Sequence, residues 1–284
     1  MTELKSILLH LDGAANCDTR VQLALRLAQA HGASIDALYA VQPAVLQYPF
    51  AFEGDAPGAA LLMNYENEQR ERVKAAFENA RRRAGGAGAQ AVTWHASTDE
   101  PVRAFTRMSW GADLMLLAQH DPAPNAYSGV TPDFAASVLV ASGKPAIVMP
   151  FIGIGESVGQ TVLIAWKPSP EAARAVGAAL PLLQRAKRVH LALWDDAAEP
   201  RRNDPRPIEN YLARHGIAPT VHRNILSQSD VHAVGELLLS LAADTQADLL
   251  VMGCYGHGRA REWVLGGATR TILRSMTLPV FMVH

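Results

Sequence analysis

Five glycines fall within fifteen residues in GCYGHGRAREWVLGG, from Gly253 to Gly267. The stretch follows the apolar run ADLLVM and precedes ATRTILRSM, whose apolar spacing predicts a helix from about Ala268. Glycine lacks a Cβ, so peptide N–H groups at these positions can approach a ligand closely. A helix starting there adds unpaired N–H groups and the positive end of its dipole. Phosphate is the chemistry that suits such a place. Glycine-rich turns also serve only to shape the chain, and on residue types alone both readings stand.

Other residues capable of chemistry are sparser. Cys254 with His257 is half of a metal-ligand pattern, and no second pair of ligands accompanies it. The same two residues have the types of a nucleophile and its base, as do His120 and Asp121 for acid–base work. The adjacent carboxylates Asp195 and Asp196 fall at a strand end, where capping or solvation is their ordinary role. No G-x4-G-K-(Ser/Thr) occurs, and no G-x-G-x-x-G follows the first strand. The expectation is a protein with no catalytic group and no bound metal.

The elements that must position the glycine stretch occur twice. SILLHLDG from Ser6 lines up with TVLIAWKP from Thr161, an offset of 155 that extends without a gap through SIDALYA and VHLALWD. GADLMLLAQ from Gly111 lines up with QADLLVMGC from Gln246, an offset of 135, and SGKPAIVMP resembles MTLPVFMVH. The first half is therefore about 20 residues longer, and the Pro- and Gly-containing segment from Gln42 to Ala60 is expected to hold the excess as a loop. Each half reads as five strands alternating with helices. In the first half the strands centre on Ile7–Leu11, Ile35–Val41, Ala91–His95, Leu114–Ala118 and Ala146–Met149. In the second they centre on Val162–Trp166, Val189–Trp194, Thr220–Asn224, Leu249–Gly253 and Val280–Val283. Short apolar runs without alternation, separated by amphipathic helices, imply parallel strands covered on both faces. DTRVQLALRLAQAHG predicts a helix with Asp18 as N-cap and Gly32 as its stop. The run Arg81 to Arg83 sits at a helix end, where cations suit the dipole. PFIGIGESVGQ, Pro150 to Gln160, reads as the linker between domains at 1–150 and 160–284.

Composition agrees with a globular protein: 284 residues, 49% hydrophobic and 19% charged, with a formal net charge of -1. That charge leaves no footprint for nucleic acid or an acidic membrane. Two cysteines are too few for a disulfide framework. No signal-peptide layout and no run of about 20 apolar residues is found, so a cytoplasmic protein is expected.

The glycine stretch resembles the G-x2-G-x9-G-(Ser/Thr) loop of the universal stress protein family, with Gly253, Gly256 and Gly266 at the glycine positions. The resemblance extends over nearly the whole chain as two tandem copies, from ILLHLDG to LPVFMVH. It implies an α/β fold of two tandem Rossmann-like (adenine nucleotide alpha hydrolase-like) domains. Each has a five-stranded parallel sheet of order 3-2-1-4-5. It also implies an intrachain pseudo-dimer through the last strands, with further homodimerisation open. In family members that bind ATP, an Asp ending the first strand contacts adenosine, the end of the second strand contacts adenine through backbone, and the glycine loop holds the phosphates.

By that resemblance the first half keeps Asp12, a remnant site, but has Ala118, Asp121 and HDPAPNAYSGVTPD in place of the loop. Proline lacks a donor and carboxylate repels phosphate. The second half keeps the loop but has Lys167 in place of the Asp and Gly267 in place of the Ser/Thr, with Thr269 nearby. The expected nucleotide site is therefore in the C-terminal domain. It comprises Gly253, Gly256, His257, Gly258, Gly266, Gly267, Ala268, Thr269, Ala165, Trp166, Lys167 and Leu193. Lys167, Arg259 and Arg261 could add charge, and Trp166 could stack on a base or belong to the core. The expected ligand is ATP or a related adenine nucleotide, with or without Mg. Two further readings are an interaction protein acting through protein partners and a slow nucleotide hydrolase.

Overall fold

The computed structural model describes residues 3–14, 16–42, 57–83, 91–123, 129–155, 157–196, 204–226, 233–255 and 267–284. Contacts divide the chain into two compact units, Leu4–Ser142 and Gly143–His284.

The N-terminal unit alternates strand and helix: β1 (Ser6–Leu11), α1 (Cys17–His31), β2 (Ser34–Ala40), α2 (Pro57–Arg83), β3 (Val92–Ser97), α3 (Pro101–Ser109), β4 (Leu114–Ala118) and α4 (Phe134–Ser142). Strand β1 pairs in parallel with β2 on one side and β4 on the other, and β2 pairs in parallel with β3. The order is therefore 3-2-1-4. All five residues of β4 are buried, as an apolar run covered on both faces requires.

The C-terminal unit begins with β5 (Ala146–Met149). It continues with β6 (Thr161–Trp166), α5 (Pro170–Leu183), β7 (Arg188–Asp196), α6 (Arg206–Arg214), β8 (Thr220–Leu226), α7 (Val234–Asp244), β9 (Leu249–Gly253), α8 (Gly267–Ser275) and β10 (Val280–Val283). Its parallel strands run β8, β7, β6, β9, β10, the 3-2-1-4-5 order. Strand β5 lies antiparallel against β10, with Ile147 opposite Phe281.

Helix α1 begins two residues earlier than its sequence signal. Asn16 holds the cap position without a side-chain bond, and Asp18 sits inside the first turn instead of capping it. Gly32 does end the helix, in the left-handed conformation at φ 69°. Pro57–Ala60, expected as loop, opens α2, and Arg81, Arg82 and Arg83 occupy that helix's last turn. Helix α2 has 27 residues and its counterpart α6 has nine, so much of the extra length of the first half is helix.

The repeat also slips by one residue at the second strand. Ser6 pairs with Ser34, but Thr161 pairs with Arg188, so SIDALYA corresponds to RVHLALW and not to VHLALWD. Side-chain direction has period two in a strand, so the structure follows the burial pattern and not the gapless alignment.

Three polar side chains lie inside the N-terminal unit. His10, Asp12 and Arg20 are at most 1% exposed. Arg20 donates through Nη2 to Asp12 Oδ1 at 2.7 Å and through Nε to the His10 carbonyl oxygen at 2.8 Å. The His10 ring packs against Phe105 and Phe134, with centroids 5.0 and 4.7 Å away. Neither of its ring nitrogens has a hydrogen-bond partner among the described residues. Burial pushes the His10 pKa down from 6.5 to about 4, against the pull of Asp12.

The unfolded chain therefore takes up this proton near pH 6.5 and the folded chain only near pH 4. The stabilisation is complete above pH 6.5 and is lost as pH falls from 6.5 toward 4, by about 3 kcal/mol. In urea unfolding at pH 7.5 and pH 4, His10→Leu is expected to narrow the stability gap by about that amount. An equal gap in variant and parent would mean His10 does not titrate from a buried site.

Candidate functional site

In parallel βαβ units each helix returns antiparallel to the strands, so its N-terminus lies at their carboxyl edge. In the C-terminal unit that edge gathers four of the expected residues. Ala165 pairs with both Met252 and Ala192, Trp166 pairs with Leu193, and Gly253 pairs with Val283. Trp166 is half-buried and Lys167 exposed, whereas Leu193 is fully buried and offers the edge only backbone. Gly267 opens α8 and is exposed, and Thr269 one turn in is buried. Gly256, His257, Gly258, Arg259, Arg261 and Gly266 lie outside the described residues.

Gly253 answers to packing. A Cβ there would fall 2.5 Å from the Ala172 nitrogen and 2.5 Å from the Glu171 carbonyl carbon. What approaches this backbone is the first turn of α5. That turn is closed by its own side chains: Ser169 Oγ accepts from the Ala172 N–H at 3.2 Å, and Glu171 lies in the turn. Gly267 is different. A Cβ there would meet nothing within 4 Å among the described residues, and its φ is not in the left-handed range. Helix α8 has no acidic residue in its first turn, and the residue before it, Gly266, has no side chain to cap with. Neither Gly266 nor Gly267 has a side chain that could cap the first N–H groups of α8.

The N-terminal unit supplies an anion at the matching place. Asp133 immediately precedes α4, a nine-residue helix like α8. Its carbonyl accepts the Ser137 N–H at 2.8 Å and its carboxylate accepts the Ser137 hydroxyl at 3.3 Å. A hydrogen bond from the Thr131 side chain, opposed in part by slight desolvation, holds the carboxyl below its usual range. The repeat comparison did not single out Asp133, because it sits among loop residues with no apolar period. Its signal was an acidic residue directly before a helical pattern.

Asp12 is likewise spoken for. Its Oδ1 accepts the Ala14 N–H at 3.1 Å besides the Arg20 guanidinium, and its side chain is fully buried. A cavity of about 190 Å³ lies between α1 and α2, lined by Asp12, Cys17, Val21, Val73 and Phe77 with Asp18 and Arg72. The Asp12 side chain has no exposed area; Arg20 takes its Oδ1, and its Oδ2 has no hydrogen-bond partner among the described residues. At the end of β2, the Gln42 N–H donates to the Gly129 carbonyl oxygen at 2.6 Å. The segment after β4 thus occupies the backbone donor there.

The candidates for other chemistry are also accounted for. Asp195 is 3% exposed and takes the Arg223 guanidinium at 2.9 Å. Burial and the nearby Glu171 push the Cys254 thiol up to about 12, so it is protonated at neutral pH. His257 is outside the described residues. Among the described residues no three His, Cys, Asp or Glu side chains cluster for a metal, and no helix is long and apolar enough to cross a membrane.

The model of the universal stress protein family matches residues 3–146 and again 159–284. This chain belongs to the universal stress protein family. Solved structures share its fold over its whole length. A universal stress protein from Archaeoglobus fulgidus DSM 4304 is 18% identical with a TM-score of 0.69, over 98% of this chain and 95% of that one. A proposed universal stress protein from Pseudomonas aeruginosa UCBPP-PA14 is 15% identical, TM-score 0.61, over 99% and 93%. A protein of unknown function from Pseudomonas aeruginosa PAO1 is 13% identical, TM-score 0.59, over 99% and 92%. No curated protein matches the chain. The family's tandem architecture is thus present.

Two substitutions check this geometry by denaturant unfolding. Gly253→Ala is expected to cost about 1–3 kcal/mol through overpacking against α5. Asp133→Ala is expected to cost about 0.3–1 kcal/mol by removing a negative charge from the start of α4. A Gly253→Ala protein as stable as the parent would show that α5 does not press on β9.

Proposed function

We propose that this universal stress protein binds an adenine nucleotide, ATP or a related phosphate compound, in its C-terminal unit. The N-terminal unit would act as a partner without a ligand of its own. One observation carries the reading. Where α4 has Asp133 at its N-terminus, α8 has Gly266 and Gly267, and Gly267 has no packing or dihedral reason to be glycine. Helix residues as poor as glycine cost about 1 kcal/mol relative to alanine. Access of an anion to the α8 N–H groups is what such a residue provides there.

Lys167 at the end of β6 supplies a cation on the same edge, and half-buried Trp166 supplies an aromatic face for a base. Leu193 at the end of β7 offers backbone only, in keeping with the adenine contact that the family implies. Magnesium would enter with the nucleotide. No turnover is assigned, because Asp195 is engaged by Arg223 and the Cys254 thiol is protonated.

The test is calorimetric titration of the full chain with ATP, with and without magnesium, alongside inorganic pyrophosphate. Gly266→Asp places a carboxylate where the N-terminal unit has Asp133. It is expected to weaken ATP binding at least about tenfold while the melting temperature holds or rises, since an N-cap carboxylate favours the helix. Lys167→Glu is expected to weaken binding by a similar factor. Undiminished affinity in Gly266→Asp would remove the ligand from this helix end. An absence of heat with either probe would favour the interaction-protein reading, and magnesium-dependent phosphate release would favour hydrolysis.

A further inference from the structure

Away from that edge, His190 on β7 and His222 on β8 form a cross-strand pair with Nδ1 of His190 2.9 Å from Nε2 of His222. Register puts them on one face of the sheet, since His190 pairs with Thr220 and Ala192 with His222. Both are half-exposed, so ions can reach them. The two nitrogens are within hydrogen-bond distance of each other. The other nitrogen of His190 is buried and has no partner among the described residues.

We propose that His190 and His222 chelate a divalent transition metal of the nickel or copper type, each as a neutral imidazole, the proton of their hydrogen bond moving to the outer nitrogen of the ring that donates it. The separation sets the class. With metal–nitrogen bonds of about 2.05 Å, nitrogens 2.9 Å apart subtend about 90° at the metal. That is the angle between adjacent positions of a square-planar or octahedral ion. A tetrahedral zinc ion wants about 109°, hence a wider separation. Water fills the remaining positions on the exposed side. Arg188 lies two residues back on the same strand, and its Nε donates to Thr161 Oγ1 at 3.3 Å. In the N-terminal unit the same register positions hold Asp36 and His95, 2.8 Å apart, an ion pair with one nitrogen and no bis-imidazole chelate.

Nickel chloride alone is the probe, titrated calorimetrically into the full chain at pH 7.5 and pH 5.5. One equivalent is expected to bind, with affinity falling at least about tenfold in His222→Asn, whose side chain lies on the outer strand. The double variant with His190→Asn should lose the site, and zinc should bind the parent more weakly than nickel. Circular dichroism melts of each variant separate loss of ligand from loss of fold. Affinity for nickel unchanged in His222→Asn, no binding by the parent, or zinc preferred over nickel would each overturn the assignment.

Discussion

A helix N-terminus at the carboxyl edge of a parallel sheet is a positive end that something must face. The connectivity of this fold brings such ends to that edge in both units, and the sequence meets them differently at each. Glu100 accepts from the Val102 and Arg103 N–H groups at the start of α3. Ser169 accepts from Ala172 at the start of α5. Asp133 serves α4. At α8 the corresponding place is glycine, and α1, α6 and α7 likewise begin without a side-chain cap bond.

The buried Arg20–Asp12 pair makes the closure of the N-terminal unit hard to reverse. Both side chains are fully buried, and Arg20 also holds the His10 carbonyl. Removing one member of such a pair leaves an unpaired buried charge, which costs about 3–5 kcal/mol. The carboxylate that a ligand would need at the end of β1 is therefore committed to the fold. In the C-terminal unit the strand position of Asp12 is Lys167, exposed and without a burial duty. Strand register and core are shared by the two repeats, while the residues at this strand end differ in charge and burial.

Periodicity made the ten strands readable to within a residue or two, because short apolar runs flanked by helical patterns fit only one arrangement. Gly32 was readable as a helix stop for the same local reason. The errors came where packing outvoted local pattern. Asp18 looks like an N-cap, yet α1 starts earlier, at Cys17, and Asp18 is left facing Arg83 at 3.4 Å. The gapless repeat put His190 opposite Ile35, whereas pairing sets it opposite Asp36, and a one-residue slip reverses the face of every side chain. Arg20 gave no sign of burial, because a charged residue in an amphipathic helix reads as solvent-facing until its partner Asp12 is known to sit beneath it.

The glycine stretch shows why a motif's residues do not weigh equally as signs of a ligand. Gly253 would be glycine with nothing bound, since the backbone of Glu171 and Ala172 leaves no room for a Cβ. Any member of this fold with that helix against that strand faces the same restriction, so the first glycine speaks for packing. Gly267 has open space around it and ordinary helical backbone, and it opens a helix that alanine or serine would support better. Neither sterics nor dihedral angle explains it. The weight of the nucleotide reading therefore rests on the end of the motif, where the missing side chain exposes peptide donors.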